Sequence, residues 1–452
     1  MFELHVLPAT GGRDEDGKFI IYRPRAGLAF VGNRAMADLA VSLSQGHEDH
    51  RNAGDQALAF LDRVGFLAPD PPMPAVPVRD FRPAMAVLLM TNQCQLRCTY
   101  CYAAAGALPA ETLDSAVGVV AIDHVHAMAR EQGYDHFDVS LHGGGEPTRA
   151  WRSMQACVEH ARSKPLRAEV TLTSNAVWSR RQCDWITENL DGVTVSVDGS
   201  PETQDGQRPF ANGGGSSTVV MRNVAELDRL RLPYAIRVTA TAPWGHLADD
   251  VRFLCETTEC QSIHVEPAFN TSRGGHPRPS EKESEVFAQA YLEAFRTAMG
   301  AGRDLVYSGA QVGAVAAIHC SAPYDALIVT TRGELVTCYE VTSPSHPLAG
   351  ISRIGHIADG RVIVGENGHE PLRSLLDERR QLCRDCWCFR TCAGDCYARA
   401  FDSGEGGHLS HSSRCDMNRE ITKGILLTLV ASGGGVWRRD DPPVGAVPWA
   451  ET

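Results

Sequence analysis

The sequence predicts an α/β protein built around a parallel sheet. After residue 83, short runs rich in Val, Ile and Leu alternate with longer segments of helical periodicity. These runs are mostly apolar, as expected for strands of a parallel sheet covered by helices. The predicted strands are residues 85–90, 137–141, 168–173, 193–197, 235–241 and 262–266. Repeats of this kind imply an open sheet or a curved, incomplete barrel with its chemistry at the carboxyl ends of the strands.

A small module, residues 1–68, precedes this sheet. Phe19–Tyr22 and Leu28–Val31 predict a hairpin around the turn at residues 25–27. Arg34–Leu43 and Asp55–Val64 have the spacing of amphipathic helices. This combination of a hairpin and two helices would also suit a domain that only covers one end of a barrel.

Residues 69–83 contain six prolines and predict an extended linker. The predicted α/β core then spans residues 84–304. Its helices are expected near residues 111–132, 151–163, 179–189, 217–230, 247–255 and 281–299.

The remainder of the chain is rich in cysteine. Residues 305–425 lack the alternating pattern and contain two short predicted strands, Ala326–Thr330 and Glu334–Thr337. Residues 426–452 are expected to form a C-terminal tail. From Ser432 onward this tail is rich in Gly and Pro and is predicted to be poorly ordered.

Charge and composition exclude several classes of partner. The chain has 452 residues, with 43 Lys and Arg against 55 Asp and Glu, a formal net charge of −12. This balance argues against nucleic acid or an anionic membrane as the main partner. The N-terminus lacks the features of a signal peptide, and no apolar run is long enough to span a membrane. We therefore expect a cytoplasmic protein.

Fifteen cysteines are unusual in such a chain. In a reducing compartment they indicate metal binding or catalysis rather than disulfides. Four scattered cysteines are expected in helices or the core as small apolar residues. They are Cys157, Cys183, Cys255 and Cys260.

The first cysteine cluster, Cys94, Cys98 and Cys101, directly follows the first predicted strand of the core. This spacing also matches one stripe of a helix, but the polar residues between the cysteines make a poor core stripe. Three adjacent thiolates need a metal to offset their repulsion. A cubane iron–sulfur cluster held by three cysteines leaves one iron with an open position.

The CxxxCxxC spacing, with Tyr100 before the last cysteine, resembles the radical S-adenosylmethionine (SAM) superfamily. Gly144-Gly145-Glu146-Pro147 is similar to that family's GGEP segment, which holds the methionine amino group. The resemblance implies a [4Fe–4S] cluster on the three cysteines that binds and cleaves SAM. It further implies SAM contacts from Tyr100, Gly144, Gly145, Glu146, Ser174, Asn175, Ser196 and Arg208.

The C-terminal cysteines resemble the SPASM extension of peptide-modifying radical enzymes. That resemblance implies two auxiliary [4Fe–4S] clusters, three clusters in all. The outer cluster would use Cys383, Cys386, Cys392 and Cys415, and the inner one Cys320, Cys338 and Cys396. Some relatives have a further inner cysteine where this chain has Ala326. Either the inner cluster then has an open iron or another group fills that site. Cys388 lies outside the pattern, as that missing ligand, as an alternative outer ligand or as an incidental thiol. Zinc ribbons remain an alternative, since zinc also uses CxxC pairs.

The N-terminal module resembles the PqqD-like, winged-helix-like domain that recognises leader peptides. Such a domain captures an extended peptide as an added strand. The three resemblances together imply a partial (β/α)6 barrel that crosslinks a precursor peptide through a carbon–carbon or thioether bond. They also imply an electron donor such as flavodoxin or ferredoxin, and Glu340 is a candidate base.

Two other functions are compatible with the sequence. One is oxidation of a Cys or Ser side chain, as in sulfatase maturases. The same two auxiliary clusters would serve it, but the N-terminal module would lack an obvious purpose. The other is a non-catalytic, metal-bound peptide-binding protein. The three-cysteine site argues against the latter, because a structural site would close its coordination.

Overall fold

The computed structural model describes residues 2–9, 17–47, 55–76, 80–269, 273, 279–341, 346–366, 368–400 and 411–440. Its N-terminal module consists of three strands followed by two helices. They are β1 (His5–Pro8), β2 (Lys18–Arg23), β3 (Leu28–Asn33), α1 (Arg34–Ser44) and α2 (Asp55–Arg63). The hairpin and both helices therefore form where the sequence predicts them. The residues between α1 and α2, 48–54, lie outside the described residues.

The central part of the chain alternates strands and helices as predicted. Its strands are β4 (Met85–Leu89), β5 (His136–His142), β6 (Arg167–Ser174), β7 (Gly192–Ser196), β8 (Tyr234–Thr241), β9 (Ser262–Ala268) and β10 (Asp304–Val306). Its helices are α3 (Ser115–Glu131), α4 (Trp151–Arg162), α5 (Arg180–Asn189), α6 (Pro201–Gln207), α7 (Ser217–Leu230), α8 (Leu247–Thr257) and α9 (Glu281–Gly300).

The C-terminal part mixes short strands with helices of varied length. Its strands are β11 (Ala326–Val329), β12 (Glu334–Val336), β13 (Arg353–Ala358), β14 (Arg361–Val364) and β15 (Val436–Arg438). Its helices are α10 (Ala322–Asp325), α11 (Ala349–Ser352), α12 (Glu370–Cys383), α13 (Phe389–Cys392), α14 (Tyr397–Ala400) and α15 (Ser413–Ser432). The described helices include none that is both long and apolar enough to cross a bilayer.

The main sheet has eleven strands in the order β10-β9-β8-β7-β6-β5-β4-β11-β12-β13-β14. From β10 to β11 every pair is parallel, and from β11 to β14 every pair is antiparallel. The parallel part confirms the predicted α/β fold. The parallel part of the sheet is wider than the predicted core, residues 84–304. At one edge it includes β10, which runs past residue 304, and at the other it includes β11, which pairs with β4.

Side chains alternate along these strands, as the period of two requires. In β5, Phe137, Val139 and Leu141 are fully buried against the helices. Ser140 and His142 lie between them in sequence and line a central cavity. One face of each strand thus supplies the apolar core, and the other is free to carry polar chemistry.

The C-terminal segment forms a strand where a poorly ordered tail is expected. β15 pairs antiparallel with β3, which completes a four-stranded sheet in the order β1-β2-β3-β15. Trp437 packs against the main core, and the Arg439 guanidinium donates to the Pro24 carbonyl at 2.6 Å. The expectation of disorder from residue 432 is therefore wrong for residues 433–440. The boundary expected at residue 426 also falls inside α15.

The beginning of the proline-rich linker is fixed to the N-terminal module. Arg23 is fully buried, and its Nη2 donates to Asp70 Oδ1 at 2.7 Å and to the Ala68 carbonyl at 2.8 Å. The guanidinium also lies 3.9 Å from the centre of the Phe2 ring. The linker is extended, since its described residues form no helix or strand, but it starts from a buried ion pair.

Replacing Asp70 by asparagine should therefore destabilise the N-terminal module. The change leaves the Arg23 charge buried without its carboxylate, which typically costs about 3–5 kcal/mol. Urea unfolding followed by circular dichroism measures the loss. The matched control is Asp62→Asn on an exposed position, which should change stability by less than about 0.5 kcal/mol. Equal stability of D70N and the wild type would show that this ion pair does not hold the linker.

Candidate active site

A cavity of about 680 Å³ opens beside the carboxyl ends of the parallel strands. It brings together residues from the first cysteine cluster, from the ends of β5, β6 and β7, and from the cysteine-rich part. All the residues that the sequence resemblance assigns to SAM contacts line it, as do Cys94, Cys98, Cys101, Cys320 and Glu340. Cys338 and Cys396 do not line it.

The first three cysteines lie on a loop that directly follows β4. Two arginines hold this loop in shape. Arg97 Nη1 donates to the carbonyls of Cys94 and Leu96 at 2.7 and 2.9 Å. Arg273, 175 residues away in sequence, donates to the Cys98 carbonyl at 2.8 Å. The loop is therefore preformed, and it is not the helix that the spacing also allows.

Gly145 allows the glycine-rich segment to lie directly against the cysteine loop. Its amide donates to the Thr91 carbonyl at 2.9 Å, and the next amide, of Glu146, donates to the Gln93 carbonyl at 2.8 Å. A Cβ atom at Gly145 would lie 2.3 Å from the Gln93 oxygen. Any larger residue would push the two segments apart.

Glu146 organises the end of the neighbouring strand. It is buried, and its carboxylate accepts hydrogen bonds from the Thr148 amide and hydroxyl, the Ser174 hydroxyl and the Asn175 amide, at 2.7 to 3.2 Å. The Ser174 hydroxyl is thus engaged with protein. Glu146 joins β5 to β6 at the point where both strands reach the cavity.

Asn175 connects β6 to the cysteine loop. Its Nδ2 lies 3.5 Å from the Cys94 sulfur, and its Oδ1 accepts from the Val177 amide at 2.9 Å. The Leu96 amide also donates to the Cys94 sulfur, at 3.4 Å. Burial raises the pKa of Cys94 to about 12. This thiol stays protonated at neutral pH unless a cation lies beside it, which fits a metal-cluster ligand.

Tyr100, Asp198 and Arg208 form a buried polar group on the opposite side of the loop. The Tyr100 hydroxyl donates to Asp198 Oδ2 at 2.6 Å and accepts from Arg208 Nη1 at 2.6 Å. Arg208 Nε is buried and has no hydrogen-bond partner among the described residues. An unused donor at the cavity wall fits the carboxylate of SAM. Ser196 also lines the cavity, with no hydrogen bond from its hydroxyl to any described residue.

Cys320, Cys338 and Cys396 lie close together next to the cavity. The charges of Cys320 and Cys396, together with that of Glu340, all act on the Cys338 thiol. Glu340 is held by Arg399, whose guanidinium lies 2.7 Å from Glu340 and 2.6 Å from Glu266. Burial would raise the pKa of Glu340, but Arg399 holds it below its usual value. The carboxylate is therefore ionised at neutral pH.

The other C-terminal cysteines form a second group, in which Cys386, Cys392 and Cys415 surround Cys383. Arg379 Nη2 lies 3.2 Å from the Cys415 sulfur, and Arg419 Nη2 lies 3.6 Å from the Cys386 sulfur. Cationic donors of this kind suit thiolate ligands.

Cys388 is buried against α15, next to this second group. Its sulfur is 3.3 Å from the Thr391 hydroxyl and 3.2 Å from the Thr422 hydroxyl of α15. It is 1% exposed. These contacts are those of a buried packing thiol, although Cys388 also hydrogen-bonds to Cys392.

The compactness of the cysteine groups can be compared with that of a zinc site. Four thiolates around one zinc lie about 3.8 Å apart, given Zn–S bonds of about 2.3 Å. In the described part of the chain, the groups of three ligands within 4.8 Å of one another include only His136, Asp138 and Glu169. The cysteine groups of the described residues are not among these compact groups.

Several cavity residues are missing from the sequence-based assignment. Arg237 and Glu266 are charged residues inside apolar strand runs, and that contrast is a usable signal. Arg399 follows Cys396 by three residues and gives no such signal. Arg399 matters because its guanidinium pairs with Glu266 on β9, a contact between distant segments that appears only in the folded chain.

Comparison with known proteins agrees with this geometry. Residues 88–247 match the model of the radical SAM superfamily. No curated protein matches the sequence. The solved structure "Native anSMEcpe with bound AdoMet" is similar, with a TM-score of 0.60, 17% identity and coverage of 77% of this chain and 99% of that one.

A second similar structure is Streptococcus suis SuiB bound to precursor peptide SuiA. Its TM-score is 0.52 at 12% identity, and the match covers 87% of this chain and 96% of that one. At these identities the likeness establishes the fold. The family match identifies residues 88–247 as a radical SAM domain, and the two similar structures share the overall fold in which this domain lies.

Proposed function

We propose that this protein is a peptide maturase that uses SAM to crosslink residues of a precursor peptide. One observation carries the proposal. The Cys94 loop and the Cys320 group open onto the same cavity, which is large enough for SAM and a peptide side chain together. When bound, a reduced cluster and SAM supply a 5′-deoxyadenosyl radical, which abstracts hydrogen from an unactivated carbon.

The residues of the chain have distinct parts in this proposal. Cys94, Cys98 and Cys101 hold the SAM cluster, while Gly145 and Glu146 keep the glycine-rich segment against it. Arg208 and Ser196 bind SAM by their free donors at the cavity wall. Tyr100 and Asp198 hold the Arg208 side chain in place.

The C-terminal cysteines form a SPASM module with two further clusters in this proposal. Cys320, Cys338 and Cys396 hold the inner one, and Cys383, Cys386, Cys392 and Cys415 hold the outer one. Ala326 lines the cavity and provides no ligand, so these three cysteines would be the inner cluster's cysteine ligands. When bound, these clusters would supply an acceptor for the electron that product formation releases. An external donor such as flavodoxin or ferredoxin supplies the starting electron.

Glu340 is the proposed base. It is ionised and lies on the cavity wall, beside Cys338. A carboxylate at this position removes a proton from the substrate as the new bond forms. Arg399 positions it and stabilises its charge.

The N-terminal module is proposed to bind the leader of the precursor. Peptides can join a sheet by adding a strand at an edge. The β3 edge is covered by β15, so an added strand uses the outer side of β1 or β15, or replaces β15. Removing residues 1–68 is too coarse a test, because Ile20, Tyr22 and Ala29 belong to the main core.

A sulfatase-maturase-like oxidation is the second candidate. The higher TM-score with anSMEcpe favours it, whereas the wider coverage of this chain by SuiB favours the peptide maturase. The SuiB structure contains the precursor peptide SuiA. An anSMEcpe structure contains the Cp18Cys peptide, so a peptide substrate is compatible with both candidates.

Mass spectrometry of peptides co-expressed with the enzyme tests the proposal. The probes are short open reading frames cloned from the same locus, with and without their N-terminal leader. Loss of two hydrogens within a linked pair of residues supports crosslinking, and an aldehyde at a single Cys or Ser supports the second candidate. Equal modification of leaderless peptide would contradict leader recognition. No change in any peptide would contradict both functions.

Glu146→Ala should weaken SAM binding by about ten-fold or more. The change removes the acceptor that joins β5 to β6 and leaves the Asn175 amide buried without a partner. Equilibrium dialysis with radiolabelled SAM on reconstituted protein measures this loss. Glu169→Ala is the control, on the exposed end of β6, and should bind SAM as the wild type does. Unchanged SAM affinity in E146A would contradict the assignment of this segment.

A further inference from the structure

Arg237 lies in the middle of β8 and faces the cavity. The residues on either side of it, Ile236 and Val238, are buried in the apolar core. Arg237 itself lines the cavity. In the sheet register it is opposite Ser196 of β7 and His264 of β9, so it lies well inside the parallel part of the sheet.

The pairing of Arg237 differs from that of the other arginines in this cavity. Arg399 lies 2.6 Å from Glu266, Arg414 lies 2.8 Å from Asp395, and Arg208 lies 3.6 Å from Asp198. Within the described part of the chain, Arg237 has neither a hydrogen bond nor an ion pair from its side chain. Its guanidinium therefore keeps its donors for a ligand.

The charge of Arg237 acts on two nearby carboxylates, those of Glu266 and Glu340, but neither of them pairs with its guanidinium directly. Glu266 and Glu340 are both held by Arg399. His142 and His264 are also near Arg237, and burial lowers the pKa of each to about 4, with the charge of Arg237 contributing. Both imidazoles are therefore neutral at pH 7. A guanidinium that lines a partly enclosed cavity without a hydrogen-bonded partner favours a ligand that brings its own acceptor oxygens, and a carboxylate brings two.

We propose that Arg237 binds a carboxylate of the substrate peptide, and that the enzyme selects peptides with a carboxylate near the modified residue. The inference rests on the proposed function and adds a substrate class to it. A guanidinium binds a carboxylate through two parallel hydrogen bonds, which fixes orientation as well as position. The carboxylate comes from an Asp or Glu side chain or from the C-terminus of the peptide.

Chemical modification of the holoprotein tests this without turnover. Reconstituted protein with excess SAM is treated with phenylglyoxal, which reacts with accessible and unpaired guanidinium groups. Mass spectrometry of proteolytic fragments then gives the rate at Arg237. We expect it to react at least about ten-fold faster than Arg414, which is buried and paired. A rate no faster than that of Arg414 would overturn the proposal.

Three peptide probes identify the ligand chemistry. They are Ac-Gly-Glu-Gly-NH2, Ac-Gly-Gln-Gly-NH2 and Ac-Gly-Gln-Gly-OH. At least one acidic probe should protect Arg237 at a concentration about ten-fold lower than the neutral probe, and which one does so identifies the carboxylate source. The exposed Arg361 is the control and should react equally with every probe.

Two outcomes would contradict the proposal. One is equal protection by the acidic and neutral probes. The other is full protection by SAM alone, which would assign Arg237 to the cofactor carboxylate. Failure of the proposed function gives a different result, because it would appear as absence of SAM cleavage in the wild type. The modification rate does not depend on that reaction.

Discussion

Cys98→Ala is expected to abolish the formation of 5′-deoxyadenosine from SAM, with a loss of at least about 10³-fold. The reason is the ligand count, because two cysteines cannot hold a four-iron cluster with one open position. The iron content of the reconstituted protein should also fall by about four atoms per chain. Liquid chromatography of the nucleoside and a colorimetric iron assay measure the two effects on the same sample.

The matched control is Cys157→Ala. Cys157 is also a cysteine, but it is buried on α4 among apolar residues and does not line the cavity. It should retain both the iron and the cleavage activity. If C98A kept the iron content of the wild type, the three-cysteine assignment would be wrong. A loss of iron in both variants would show that the assay reports unfolding instead.

Glu340→Gln should reduce the formation of modified peptide by about 10²–10⁴-fold, the usual contribution of a general base. Glutamine still accepts a hydrogen bond from Arg399, so the change removes the charge and the basicity while it preserves the shape. Mass spectrometry of the peptide after a fixed time measures the product.

The control for this variant is Glu334→Gln. Glu334 lies on β12 of the same hairpin, is paired with Arg353 outside the cavity, and should be neutral for product formation. Arg399 holds the pKa of Glu340 below 4.5, so Glu340 stays ionised as the pH is lowered toward that value. Protonation of this residue should therefore not slow the wild-type reaction in that range. Product formation by E340Q at the wild-type rate would eliminate Glu340 as the base.

The parallel strands are predictable because each is a short run rich in apolar and β-branched residues, separated from the next by a segment of helical periodicity. The long helix α15 is missed for a physical reason. Arg414, Asn418 and Thr422 are buried on the face of α15 where a sequence pattern requires apolar residues. Arg414 pairs with Asp395 there, and Thr422 contacts Cys388. A helix that packs against a cysteine-rich module through polar groups has no clear apolar stripe.

β15 is unpredictable for another reason. It has three residues after a run of glycines, and nothing local indicates a strand. Its partner β3 lies about 400 residues earlier in the chain, and the pairing arises because α15 ends beside that edge. Non-local pairing of this kind has no signature in the sequence of either segment.

The candidate site is predictable where short motifs follow strands, and it is not where distant segments meet. Cys94, Gly145 and Glu146 are visible as motifs. The engagement of Ser174 by Glu146, and of Glu340 by Arg399, depends on contacts between distant segments. Arg237 is visible as a charge within an apolar run, but its lack of a partner is a property of the folded cavity.

Magnetic resonance of the reduced, reconstituted protein with isotopically labelled SAM tests the central claim most directly. If an iron of the cluster held by Cys94, Cys98 and Cys101 binds SAM, the methionine amino nitrogen should show hyperfine coupling to the cluster signal. C98A should then show neither the coupling nor that signal. A cluster signal in the wild type that is unaffected by saturating SAM, with no coupling to the label, would contradict the account.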